Sequence, residues 1–459
     1  MTFIRRTMLG RVVTAGAVAV VAAIALPAGA QTSGRMLGID TTNFDRSVRP
    51  QDDLFRFVNG GWIKRTDIPQ DASSWGAFNE LSERSRSALH SIVEDAERSR
   101  GPAGSERRKV GDLYASFMDS ARVESLGLAP LRVDRAAIAA IVSPADLPGA
   151  FARFARVGVQ TPFAVTVGPD QKRSRENIVS VGQSGLGLPD RDYYLLQDAK
   201  MRSMRQAYQG YVARLLTLAQ QPDADAAAGR ILAVETAIAG KHWDRARIRD
   251  RNATYNKMSV AQLVALSPGF DWNGYLKAAK LSAATEVVVR QPDYLRGADS
   301  ILTATPASTW REYLTFKLLD AYANELPSAF QEARFQFRGR TLSGQQAMSV
   351  RWKRGVGEVE GSLGEAVGKL YVEQNFKPEA KARMDALVRN LRAAYRVGID
   401  SLDWMSPVTK AQAKEKLAKF TVKIAYPDTW RDYSTLDIRR DDLFGNAQRS
   451  AAFQYDDVV

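Results

Sequence analysis

Apolar residues return at helical spacing along most of the chain. Between residues 78 and 98, Phe78, Leu81, Leu89, Ile92 and Val93 fall on one side with charges opposite, which predicts a long surface helix. Gly101-Pro102-Ala103-Gly104 breaks it, and Val110, Leu113, Tyr114, Phe117 and Met118 mark the next helix. Shorter helices are expected over 130–142 and 145–157. The pattern then changes to strand composition over 162–167 and 178–181, flanking the polar link 168–172, and predicts one small hairpin. Helices resume over 201–220, 224–241, 260–266 (capped by Ser259), 308–326, 328–337 and 344–371. Pro378 and Pro407 sit in the first turns of two more, 378–401 and 407–419. Val287–Val289 has the composition of a short strand, Tyr426-Pro427 ends the regular run, and no repeat of fixed period occurs. The pattern is that of a mainly α protein with one small β-hairpin.

Residues 50–81 hold the densest run of local signals. Asp52 and Asp53 precede Leu54, Phe55, Phe57 and Val58, so acids meet the positive end of an amphipathic helix. Asn59-Gly60-Gly61 is expected to stop that helix, leaving Trp62 and Ile63 as an apolar anchor. Ile68-Pro69 forces an extended turn, and a new helix should start near Ser73 or Ser74. Upstream, Arg5, Arg6 and Arg11 precede the small and apolar run 12–26, and Ala28-Gly29-Ala30 offers a small-x-small cleavage site. Residues 1–30 therefore read as a secretory signal peptide, with 31–50 an extended lead-in and the helical domain over 51–455. The expected location is periplasmic.

Composition narrows the classes. With 459 residues, 45% hydrophobic and 25% charged, the chain can bury a sizeable core. The formal charge of +13 is scattered among acids along helices, which argues against nucleic-acid binding. Cysteine is absent, so there is neither disulfide nor thiolate chemistry. After the leader no apolar stretch is long enough for a membrane span.

The chemistry of hydrolysis has little material here. His90 and His242 are the two histidines, far apart and expected to be structural. There is no His-Glu-x-x-His to present two imidazoles to zinc and no Gly-x-Ser-x-Gly elbow. Gly185-Leu186-Gly187 lacks the third glycine of a nucleotide loop, and Gly355–Gly361 lacks phosphate-loop spacing. Glu358, Glu360 and Glu365 could be paired carboxylates, but among Lys and Arg they read as a solvated helix face. The residues assign no catalytic, cofactor-binding or metal position.

Several ordered blocks nevertheless resemble the neprilysin and endothelin-converting-enzyme family of zinc metallopeptidases. They are Asp52-Asp53-Leu54-Phe55, Gly60-Gly61-Trp62-Ile63-Lys64, Ile68-Pro69 and Trp75-Gly76-Ala77-Phe78. Downstream come Gly187-Leu188-Pro189-Asp190-Arg191-Asp192-Tyr193-Tyr194, Tyr255-Asn256-Lys257-Met258, Tyr294-Leu295, Val367-Gly368-Lys369-Leu370-Tyr371-Val372 and Leu402-Asp403-Trp404-Met405 through Ile424-Ala425-Tyr426-Pro427-Asp428. Two cavity positions of the family, an Arg and an Asp, fall on Ser74 and Asn79, and neither residue type is kept.

The resemblance implies the large helical lobe of a two-lobed metallopeptidase, enclosing a cavity that admits peptides. It also implies that the zinc-bearing catalytic domain lies beyond residues 51–455, with 456–459 as a truncated tail, so this chain holds no zinc and is inactive alone. The alternatives are a stand-alone peptide-binding scaffold and one half of a split peptidase whose catalytic lobe is a separate partner. Apolar faces made for that lobe are expected near Phe55, Trp62, Phe444 and Phe453.

Overall fold

The computed structural model describes residues 40–459. The expected signal peptide and residues 31–39 of the lead-in lie outside the described residues. Two compact units divide after Asp67.

In the first unit, Asp40 caps a 3-10 turn at Thr41–Asn43, and Asp53 caps α1 (Leu54–Arg65) by accepting the Arg56 N–H at 2.9 Å. The helix does not stop at Asn59-Gly60-Gly61 but runs through all three. The glycines serve close approach instead of termination. A Cβ on Gly60 would lie 2.6 Å from the Asp45 Cβ, and one on Gly61 would lie 2.9 Å from the Asn43 carbonyl oxygen. The preceding segment thus lies directly on α1, with Phe44 against Phe57 and Lys64 paired to Asp45 at 2.8 Å. Hydrogen bonds from Lys64 and then Ser47 lower the Asp45 carboxyl to about 2.

The second unit opens with α2 (Ala77–Ser99), slightly later than expected and begun by Gly76 without a side-chain cap. Leu89, Ile92 and Val93 are buried as the pattern requires, whereas Phe78 and Leu81 are exposed. α3 (Glu106–Met118) follows, then α4 (Ser120–Leu126), α5 (Arg132–Ala139) and α6 (Leu147–Arg156). The hairpin is present as β1 (Phe163–Pro169) and β2 (Asn177–Gln183), Phe163 facing Gln183. After α7 (Asp192–Leu195), α8 (Ala199–Leu218) and α9 (Ala224–Lys241), β3 (Asn256–Ser259) leads into α10 (Val260–Leu266). Ser259 closes a capping box there with Gln262. Then come α11 (Trp272–Ala278), β4 (Glu286–Val289), α12 (Pro292–Ala304), α13 (Ala307–Ala321) and α14 (Ser328–Arg334).

The hairpin is only half of the sheet. β4 pairs parallel with β2 and antiparallel with β3, giving four strands in the order β1-β2-β4-β3. Val287, Val288 and Val289 are buried, so this short strand is central. β3 was hidden because Asn256 and Lys257 have little strand propensity, and its pairing partner lies about thirty residues away.

α14 continues into a π-helical stretch, Phe335–Leu342, so the next helix, α15 (Arg351–Asn375), starts later than the apolar pattern indicates. α15 packs with α2 and α3 around Val93, Val110, Leu113, Val356 and Leu363 in one cluster, while the larger core lies around the sheet and α8, α9 and α13. α16 (Pro378–Ser401) and α17 (Pro407–Ala418) match expectation closely. The regular run does not end at Tyr426-Pro427, because α18 (Leu443–Val458) returns to the body. Its Phe444 is buried against Tyr322 and Phe453 is half-buried, stacked on Tyr433. Neither belongs to an open apolar face. Trp62 is also half-buried, whereas Phe55 is exposed as expected.

Candidate functional site

The segment between β2 and α8, which includes α7, carries Gly185–Tyr194, and its chemistry is held by the protein itself. The Tyr194 hydroxyl accepts the Gly187 and Leu188 N–H groups at 3.0 and 2.8 Å and donates to Glu235 Oε2 at 2.6 Å. Tyr208 donates to the same oxygen at 2.8 Å, and Lys317 Nζ lies 2.7 Å from Glu235 Oε1. Glu235 and Lys317 are shut off from water. Tyr313 donates to the Gly185 carbonyl and Arg338 to that of Gly187, the latter braced by two contacts to Asp320. Burial, then the Glu235 charge, drives the Tyr194, Tyr208 and Tyr313 hydroxyls well above the ordinary tyrosine range. Burial also pushes Asp320 upward, but Arg338 outweighs it and the carboxyl is lowered. The glycines here let the backbone approach Tyr208, since a Cβ on Gly187 would fall 1.8 Å from its hydroxyl.

The Tyr255–Met258 block is likewise architectural. Tyr255 Oη donates to Asp170 at 2.9 Å, and Lys257 Nζ lies 3.5 Å from Asp170 and 2.8 Å from Glu286. Asp170 also accepts the Lys172 and Arg173 N–H groups, so β3 is locked to the tip of the β1–β2 hairpin.

Both histidines are structural. His90 stacks on Trp352 at 4.2 Å with Nε2 3.0 Å from the Tyr114 hydroxyl. His242 lies 3.1 Å from the Ser184 carbonyl, and burial lowers its pKa to about 4, so it is neutral and donates there. The three glutamates separate. Glu360 is exposed, Glu365 accepts the Arg431 N–H at 2.7 Å, and Glu358 accepts from Ser362 at 3.2 Å. Glu358 is not a solvated group. Burial pushes it upward, and burial together with the Glu358 charge raises Glu325 to about 8. Glu325 lies thirty-three positions from its partner, so no local pattern reveals the pair. Ser74 is exposed and Asn79 half-exposed.

No three His, Cys, Asp or Glu side chains among the described residues converge so as to hold a metal ion. The groups present do not fit a zinc ion.

Two of the features open to other molecules bear on function. The first is a cavity of about 360 Å³ between β1, the end of β2, the 184–192 loop and the 242–248 and 290–291 segments. The second is the antiparallel pair α16 and α17, joined by Arg392 Nη2 donating to the Leu417 carbonyl at 2.9 Å and by Lys414 pairing with Asp400. Neither helix buries a single side chain. Met384, Leu387, Leu391 and Tyr395, at steps of three and four, form an exposed apolar stripe, with Val397, Trp404 and Val408 also exposed.

The model of peptidase family M13 matches residues 50–427. The chain belongs to this family. Endothelin-converting enzyme-like 1 of Mus musculus is 29% identical over 406 residues, covering 84% of this chain and 52% of that protein. Endothelin-converting enzyme 1 of Homo sapiens is 28% identical over 415 residues, covering 86% and 53%. This M13 chain thus spans about half the length of the curated relatives it matches. Among solved structures, the zinc metalloprotease Zmp1 of Mycobacterium tuberculosis, in complex with an inhibitor, is 41% identical with a TM-score of 0.86, over 91% of this chain and 64% of that one. PepO of Lactobacillus rhamnosis shares the fold, with a TM-score of 0.77 at 24% identity over 89% and 66%. The blocks that carried the resemblance are, in this M13 chain, mainly packing and loop-anchoring devices.

Proposed function

We propose that residues 40–459 form the non-catalytic lobe of an M13 zinc metallopeptidase and do not hydrolyse peptides without a zinc-bearing lobe. The observation that carries this reading is the α16–α17 pair, 36 residues of helix with no buried side chain and a continuous apolar stripe. In water such a stripe is an interface, since soluble chains rarely leave large apolar patches uncovered. The partner it fits is the remainder of an M13 chain, because this chain matches only about half of its relatives' length and its described residues supply no metal-holding group. Whether that lobe arrives as a continuation or as a separate polypeptide, the same face receives it. Peptides are the proposed substrate class of the assembled protein, and export to the periplasm, from the leader at residues 1–30, is the proposed location.

The test uses the purified chain and a separately expressed zinc-bearing lobe from a homologous M13 peptidase. Zinc-dependent cleavage of a fluorogenic peptide is expected after mixing and not before. Cleavage by this chain alone, removed by a chelator, would overturn the reading.

A further inference from the structure

The cavity beside β2 is lined by donors that the protein's own groups leave partly unused. Gln291 is 3% exposed, yet only its carbonyl oxygen has a protein partner, accepting the Gln183 N–H at 3.0 Å. Its Nε2 has no partner among the described residues, and Gln291 belongs to the cavity lining. The exposed side chain of Arg290, next in the chain, has neither hydrogen bond nor ion pair, and its stem packs over Gly182. Arg191 uses Nη1 on the His242 carbonyl at 2.6 Å, while its Nε is buried with no partner. No carboxylate pairs with Arg191 within 4 Å.

The charges lining the cavity are unequal. Asp190 is neutralised by Arg245 at 2.5 Å, and His242 is uncharged and bonded to Ser184. Arg191 and Arg290, neither in an ion pair, thus share the lining with one unpaired acid, Asp192, while Asp244, between the lining residues Trp243 and Arg245, interacts with Arg191 through its charge. The buried Arg191 Nε, without an acceptor, costs free energy unless a ligand supplies the missing oxygen, and the exposed Arg290 adds a free guanidinium, the strongest partner for a carboxylate. Leu186, Leu188 and Ile248 add apolar side chains to the lining, and the volume is that of a small-ligand site, roughly 300–1,000 Å³.

We propose that this cavity binds the free C-terminal carboxylate of a short peptide, with the oxygens on Arg290 and Gln291 Nε2 and the terminal side chain against Leu186 and Leu188. The choice of a peptide rests on the peptidase reading above; the anion site itself does not. Its ligand is recognised by its end group, which would make it a second, non-hydrolytic peptide site.

Calorimetry on the whole chain tests this with a tripeptide ending in leucine as the free acid, its C-terminal amide and inorganic phosphate. The free acid is expected to bind the wild type and to lose roughly tenfold or more in affinity in Arg290→Gln, the size of a lost charge-assisted bond. The amide should be weaker by a similar factor. Ala164→Trp, on the exposed part of the β1 lining, should block binding while Arg290→Gln retains native unfolding behaviour. Equal binding of acid and amide, no binding of either, indifference to Arg290→Gln, or binding of phosphate alone would overturn the proposal. Because the readout is binding, failure of the two-lobe peptidase reading would leave this result unaffected.

Discussion

Glu235 shows how a single buried charge organises a long loop. It accepts from Tyr194 and Tyr208 and pairs with Lys317, and through Tyr194 it fixes the Gly187 and Leu188 amides. Removing one partner of a buried pair leaves the other charged and desolvated, at a cost of about 3–5 kcal/mol. Glu235→Ala should therefore lose about that much in chemical denaturation, and Lys317→Met in the Glu235→Ala background should recover part of it. If Glu235→Ala costs under ~1 kcal/mol, the hub is not what holds the loop. Gly187→Ala is expected to destabilise by about 1–3 kcal/mol, since its methyl would overlap the Tyr208 hydroxyl. None of this was legible locally. Lys317 sits in an apolar helix pattern where a lysine is ordinarily exposed, and its partner is some eighty positions away.

At the scale of elements, local chemistry was most reliable where it had no tertiary competitor. α16 and α17 begin at Pro378 and Pro407 as first-turn prolines require, and Ser406 caps α17 by accepting the Thr409 N–H. α1 is the opposite case. Asn59-Gly60-Gly61 has the composition of a helix stop, but Asp45 and Asn43 lie against it, and only glycine permits that approach. The four-stranded sheet was half visible, because a hairpin announces itself through its turn and β3–β4 pairing does not. The exposed stripe on α16 yields a clean prediction. Leu387→Gln with Leu391→Gln should change the stability of this chain by under ~0.5 kcal/mol per site, as both are on the surface. The same pair should weaken association with a zinc-bearing lobe at least tenfold in sedimentation or calorimetry. A large loss of stability without that lobe would show that the stripe packs on the chain's own residues in solution.

For the whole molecule, the buried titrations of His242 and Glu325 oppose each other. Neutral His242, folded at about 4 against 6.5 unfolded, contributes stability that is full above pH 6.5 and is lost as pH falls toward 4. Glu325, folded at about 8 against 4.5 unfolded, is stabilising in its neutral form below pH 4.5 and loses that contribution as pH rises to 8. The raised Glu358 beside it has the same sign, with Arg334 and Arg354 moderating Glu325. Between pH 6.5 and 8 only the acids titrate, so stability should fall there, by up to about 2 kcal/mol from Glu325. Glu325→Gln should flatten that limb in urea denaturation at successive pH values. A limb as steep in the variant as in the wild type would assign the slope to other groups.

The sequence by itself determined the family, the helical class and most helix positions, because periodicity, caps and ordered motif blocks act within a few turns of chain. Only the tertiary structure decided what those blocks do: the glycines of α1 and of the 184–195 loop admit neighbouring groups, and Tyr255 and Lys257 clamp Asp170. It also decided which apolar residues remain open. Phe444 finds Tyr322 and is covered, whereas Leu387 and Leu391 find nothing among the described residues that buries them. Burial is a property of what arrives from elsewhere in the chain, and no local pattern carries that information.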